Sequence, residues 1–189
     1  MAEPISALAG TGPFVAPDLR IAERPALAMT QIACFADGVD AVRAALETAF
    51  GVAAPVRPNT AAAGGRASVL WLGPGRWFVA EPRAGAVTVW HDSVRAAGGW
   101  LTDIGHGRTA IRVSGNAAPE LLAHGVGPDL HPRVFPPGAC LQTNVAHTNL
   151  LLHAIDDVPS FDLYVPRSYA ADVWDWLCDA AAPRLGGNS

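Results

Sequence analysis

The chain predicts an α+β fold of two split β-α-β, ferredoxin-like units with mostly antiparallel sheets. Element order is the first reason: residues 26–105 read β-α-β-β-α-β, and residues 106–183 read strand, helix, three strands, helix. The second is that neighbouring strands are joined by turn dipeptides such as Pro74-Gly75 and Thr148-Asn149, without the βαβ regularity of a doubly wound sheet. The third is size: 189 residues, half of them hydrophobic, suffice for one domain of two similar halves.

Residues 1–25 hold Pro4, Pro13, Pro17 and Pro25 with little periodicity, which predicts an extended N-terminal tail. Its Ile5, Leu8, Phe14 and Val15 fit either a partner's surface or this chain's own domain. Leu27, Met29, Gln31, Ala33 and Phe35 alternate with their neighbours as a strand does. Val39, Val42, Leu46 and Phe50 then fall at helical spacing, with Asp37 or Asp40 near the start and Gly51 at the end. Residues 55–65 are loop, 68–73 and 76–81 two strands, and 86–97 a helix with Val87, Trp90 and Val94 on one stripe.

Residues 101–106 alternate weakly. Past a turn at Gly107, Ile111 and Val113 share one face of a clearer strand. Ser114-Gly115-Asn116 breaks it, with Asn116 as expected N-cap of a helix that buries Leu121 and Leu122 and stops at a left-handed Gly125. A proline-rich loop leads to strands over 140–147, 150–156 and 161–165, a final helix over 168–181, and a C-terminal tail from 184. On that helix Asp172, Asp175 and Asp179 form an acidic stripe, and Tyr169, Val173, Trp176, Leu177 and Ala180 a core stripe. Trp174 and Cys178 widen the apolar face, which places Trp174 at a subunit contact or in a second packing layer.

Charged residues make up only 16% of the chain, and six tryptophans accompany them, which favours burial against a partner. The net charge of −4, with lysine absent and no arginine cluster in sequence, argues against a nucleic-acid groove. Cys34, Cys140 and Cys178 show no metal or disulfide spacing, so buried reduced thiols in a cytoplasmic protein are expected. No signal peptide or membrane span is legible. GxGxxG, P-loop, HExxH and nucleophile-elbow motifs are missing, so neither a flavin nor a nicotinamide site is expected in this chain.

Asp103 and His106 straddle a turn, where acid–base pairing is conceivable but backbone capping is the better reading. Asp129 reads as a turn cap before Leu130-His131-Pro132. The prolines at 132, 136 and 137 stiffen its loop, so His131, Arg133 and Phe135, with Trp174, are the candidate subunit-interface residues. His147 and His153 fall on adjacent strands about the expected Thr148-Asn149 turn, where facing each other is conceivable, but a metal site needs a third ligand that the sequence does not show.

Three blocks carry a family resemblance: DIGHGRTAIRVSGNAAPELLAHG (103–125), DLHPRVFPPGACLQT (129–143) and FDLYVPRSYAADVWDWL (161–177). Together, and in this order, they resemble the gamma subunit of heterotetrameric sarcosine oxidase. More distantly they are similar to the aminomethyltransferase (glycine cleavage T protein) fold, which implies a folded chain like that enzyme's folate-binding domain. By order, Asp129 matches the loop aspartate which that family presents to reduced folate.

The resemblance implies a non-catalytic subunit that stabilises an assembly with alpha, beta and delta partners. FAD, FMN, NAD, tetrahydrofolate and zinc are then expected in the partner subunits and none in this chain. The implied reaction is oxidative demethylation of sarcosine to glycine and formaldehyde, or methylene-tetrahydrofolate. A gamma-type subunit of N-methylglutamate dehydrogenase or a related N-methyl amino acid oxidoreductase is the alternative within the class. A free-standing folate-binding aminomethyltransferase-like protein is the alternative outside it.

Overall fold

The computed structural model describes residues 6–24, 27–64, 67–82 and 89–186. Its strands are β1 (Phe14–Ala16), β2 (Leu19–Glu23), β3 (Leu27–Ala33), β4 (Ala61–Ala63), β5 (Ser68–Gly73), β6 (Arg76–Pro82), β7 (Trp100–Asp103), β8 (Arg108–Ser114), β9 (Cys140–Val145), β10 (Thr148–Asp156) and β11 (Ser160–Pro166). The helices are α1 (Val39–Phe50), α2 (Val89–Ala96), α3 (Ala118–Ala123) and α4 (Ala170–Ala181). Two compact units result, one of residues 26–105 and one combining 1–25 with 106–189.

In the first unit the sheet runs β4-β5-β6-β3-β7, with every neighbouring pair antiparallel. Strands β3, β5, β6 and β7 with helices α1 and α2 give the split β-α-β order expected from sequence, and β4 adds an edge. Helix α1 buries Val42, Leu46 and Phe50, one every four residues, and ends where Gly51 turns left-handed at φ 72° and donates its N–H to the Glu47 carbonyl. These side chains meet Ile32, Val69, Trp77, Val79, Trp90 and Val94 in one core. Of the expected α2 stripe, Val87 lies outside the described residues.

In the second unit the sheet runs β1-β2-β8-β11-β10-β9, again antiparallel throughout. Ile111 and Val113 of β8, Phe161, Leu163 and Val165 of β11, and Leu121, Leu122, Val173 and Leu177 of the helices make its core. Here the split β-α-β order stops at α4. The position beside β8, which β7 fills beside β3 in the first unit, is taken by β2 from the N-terminus, with β1 outside it as the edge.

The expectation of an extended tail over 1–25 is therefore corrected for residues 14–23, which form a β-hairpin. The prolines misled because Pro13 precedes β1 and Pro17 sits in the hairpin turn, two places where a missing N–H costs no ladder bond. Leu19 and Ile21 are fully buried beside Val113, the long-range pairing that local periodicity does not reveal. Gly115, at φ 112°, is the position this hairpin requires: an added Cβ would stand 2.3 Å from the Asp18 carbonyl oxygen.

Smaller corrections follow the same logic. Asn116 is not the N-cap of α3; Ala117 is, and no side chain caps it. Gly125 is not left-handed but lies against the Trp176 indole. The turn before β10 is Ala146-His147, flanked by the Val145–Thr148 pair, so Thr148-Asn149 belongs to the strand. The expected C-terminal tail begins as a 3-10 turn over Ala182–Gly186, whose Arg184 reaches Asp18 at 2.9 Å and Glu120 at 2.7 Å.

Candidate functional site

The loop from α3 to β9 carries most of the residues singled out from sequence. Asp129 is exposed, and its Oδ1 accepts the His131 N–H at 2.8 Å; His131 Nδ1 in turn accepts the Arg133 N–H at 3.2 Å. The Val134 and Phe135 N–H groups donate to the His131 carbonyl at 2.8 and 2.9 Å, closing one tight turn. Asp129 is thus a turn residue. The cavity under this loop, lined by Leu130, Pro132, Phe135 and Phe161 among others, measures about 40 Å³. That volume holds a water or two. His131 and Arg133 are exposed on its surface. Phe135 is not: it is buried and stacks on Phe161 at a centroid distance of 6.4 Å, because the turn at His131 folds its ring inward.

Helix α4 corrects a second interface candidate. Trp174 is 6% exposed and belongs to the core of its own unit with Val173, Leu177 and Ala181, whereas Trp176 is only half-buried. The two stripes read from sequence exchange these indoles. The acidic stripe stands, with Asp172, Asp175 and Asp179 all exposed.

A buried ionic centre lies on the face of the second unit's sheet away from its helices, and the sequence reading missed it. Asp162 of β11 is 0% exposed. Arg112 of β8 holds it through two bonds, Nε to Oδ1 at 2.7 Å and Nη2 to Oδ2 at 2.9 Å, and Arg24 donates a third from Nη1 to Oδ2. The hydrogen bond and attraction of Asp162 hold the Arg112 guanidinium above its ordinary value. Opposite Asp162 in the ladder stands His153, buried, its Nδ1 without a hydrogen-bond partner and its pKa lowered to about 4, chiefly by burial. Tyr164 is buried two residues on, and burial pushes its phenol well up. Three guanidinium bonds to one carboxylate tie β11 to β8 and to the segment that follows β2. The sequence signal was Asp162 itself, an acid within an otherwise apolar strand.

Other candidates resolve singly. Asp103 Oδ1 accepts the Gly105 N–H at 2.8 Å, the capping role expected, and His106 is exposed. His147 is exposed in its turn while His153 pairs with Cys140, so the two histidines do not face each other. Cys34, Cys140 and Cys178 are not joined by disulfides; burial raises the thiol pKa of Cys34 and Cys178. Among the described residues no group of three or more His, Cys, Asp or Glu side chains is placed to hold a metal ion, and no helix is long and apolar enough to cross a membrane. The first unit exposes an edge-to-face pair that sequence reasoning also missed: Phe35, 71% exposed, and Trp100, 53%, with centroids 4.7 Å apart.

Comparison with known proteins gives a consistent answer. Residues 35–183 match the model of the sarcosine oxidase, gamma subunit family. The sarcosine oxidase subunit gamma of an Arthrobacter species is 31% identical over 156 residues, covering 80% of this chain and 75% of that protein. That of Corynebacterium sp. strain P-1 is 31% identical over 150 residues, covering 77% and 68%. Among solved structures, a chain of heterotetrameric sarcosine oxidase from Corynebacterium sp. U-96 superposes with a TM-score of 0.77 at 24% identity, over 90% of this chain and 87% of that one. The glycine cleavage aminomethyltransferase T of Bartonella henselae shares the fold at a TM-score of 0.61 and 12% identity, over 84% of this chain and 45% of that one.

Proposed function

The chain belongs to the sarcosine oxidase gamma subunit family, and from that premise we propose that it is a non-catalytic gamma-type subunit of a cytoplasmic, heterotetrameric, flavin-dependent sarcosine oxidase. The observation that carries this reading is the family match, which runs from residue 35 to 183 and so through both units. In this reading the chain stabilises an assembly with alpha, beta and delta subunits. Those partners hold the FAD, FMN, NAD, tetrahydrofolate and zinc, and oxidise sarcosine to glycine and formaldehyde or methylene-tetrahydrofolate. The chemistry of the chain's own interior supports a structural role: the Asp162 carboxylate is held by three guanidinium bonds, and Asp129 closes its own turn by accepting the His131 N–H.

The test is co-expression of the tagged chain with alpha, beta and delta subunits of a sarcosine oxidase, followed by tag purification and assays with sarcosine and N-methylglutamate. The expected result is a stoichiometric, flavin-coloured complex that oxidises sarcosine, and a colourless chain without turnover when expressed alone. Assembly with the partner chains of an N-methylglutamate dehydrogenase and not with those of the oxidase would move the assignment to the dehydrogenase. Folate binding or amine turnover by the isolated chain would overturn the non-catalytic role.

A further inference from the structure

Strands β2 and β8 place four arginines on one face. The residues of β2 that alternate with buried Leu19 and Ile21 are Arg20 and Ala22, and Arg24 follows in the same phase; on β8 the residues alternating with Ile111 and Val113 are Arg108, Ala110, Arg112 and Ser114. Arg20 lies opposite Ser114, and the Arg24 N–H donates to the Ala110 carbonyl, so the four side chains follow one stripe. At about 3.3 Å per residue, the stripe from Arg108 to Arg20 is roughly 20 Å long. Two acids share the face: Asp162, fully buried beneath Arg24 and Arg112, and Asp156 at the bulged far end of β10.

The charges are unevenly matched. Arg24 and Arg112 keep 32% of their side-chain surface exposed after binding Asp162. Arg20 is exposed. Arg108 is half-buried and bonds the Tyr164 carbonyl at 3.1 Å, but among the described residues it forms no ion pair, and burial without a neighbouring carboxylate holds its guanidinium below the ordinary value. A cation withdrawn from water without an acid beside it is destabilising, and an incoming carboxylate would relieve that cost. The stripe therefore stands as a local excess of positive charge on a chain whose net charge is −4.

We propose that the arginine stripe of β2 and β8, Arg20, Arg24, Arg108 and Arg112, is the docking surface for an acidic, extended segment of a partner subunit. Carboxylates spaced along a strand-like segment of about six residues span the roughly 20 Å of the stripe. The planar guanidinium fork binds them in pairs, and Asp162 holds two of the forks in place from below. This rests on the subunit role proposed above and names one surface through which it is exercised.

The experiment compares complexes co-expressed with alpha, beta and delta chains. The variant Arg20→Ala/Arg108→Gln removes two charges while Gln retains a donor for the Tyr164 carbonyl; Arg57→Gln/Arg76→Gln removes two exposed charges from the other unit as a control. Thermal melts of each isolated chain establish that it is folded. If the stripe docks an acidic segment, the stripe variant releases the chain from the complex at least tenfold more readily, with a flatter dependence on salt, and the control behaves as wild type. Equal retention and equal salt dependence of the stripe variant overturns the docking surface while leaving the subunit role intact. Equal weakening by both variants also overturns it, assigning the effect to net charge. Failure of the wild-type chain to assemble overturns both readings together.

Discussion

Gly125 lies against the indole of Trp176: a Cβ added to the glycine would stand 2.6 Å from the ring's Cζ2 and Cη2. The end of α3 and the middle of α4 approach this closely because residue 125 has no side chain. Gly125→Ala should therefore lower stability by roughly 1–3 kcal/mol, the usual range for overpacking. Chemical denaturation checks this, and the cost should largely vanish when Trp176→Leu is present, since the two residues are in direct contact. An equal cost in both backgrounds would assign the effect to backbone conformation.

Trp174 and Trp176 should fail differently on truncation. Trp174 fills the core of its unit, so Trp174→Ala should cost roughly 3–5 kcal/mol in an equilibrium unfolding measurement. Trp176 is half-buried, and Trp176→Ala should cost distinctly less. The reverse ranking would contradict the phase of α4.

Asp162→Asn removes the acid shared by Arg24 and Arg112. Breaking a buried pair from one side costs about 3–5 kcal/mol, and the lower end applies because a third of each arginine side chain remains in water. Hydrogen exchange should show the loss first at β2, since Arg24, which follows that strand directly, is 138 residues from Asp162 in sequence. Unchanged β2 protection would show that this bond does not hold the hairpin.

His153 makes stability depend on pH in a definite direction. Burial lowers its pKa from 6.5 to about 4; Asp162 opposes that shift, while Arg112 and Arg24 reinforce it. Between these values the unfolded chain takes up a proton that the folded chain excludes, so stability is complete above pH 6.5 and declines as pH falls toward 4. The decline amounts to roughly 3 kcal/mol at most, at 1.36 kcal/mol per unit. His153→Gln should flatten the pH dependence of the unfolding free energy over that window, and an unaltered slope would exclude His153 as its source.

The β9–β10 turn holds Ala146 and His147 at φ 48° and 68°, conformations that asparagine and glycine adopt more readily. The double substitution Ala146→Asn/His147→Gly should raise the melting temperature, by relief of about 1–2 kcal/mol for each strained residue at most. A lowered melting temperature would mean that the native side chains contribute more than their backbone strain costs.

The sequence alone determined what depends on neighbours along the chain. Period-two alternation placed β3 and β8, the four-residue spacing of Val42, Leu46 and Phe50 placed α1, and Pro74-Gly75 and Gly51 placed a turn and a stop, because these conformations follow from local sterics and amphipathic burial. The same blocks carried the family resemblance. Tertiary structure decided what depends on pairing between distant segments. Leu19 and Ile21 become a strand because β8, some ninety residues later, offers an open edge, and Arg24 meets Asp162 through that same docking. Trp174 and Trp176 point about 160° apart on α4, so which one is core depends on which face meets the sheet, and an apolar stripe this broad leaves that choice to the packing. The arginine stripe was hidden for the same reason: its members are dispersed from position 20 to 112 and become one surface only when β2 pairs with β8.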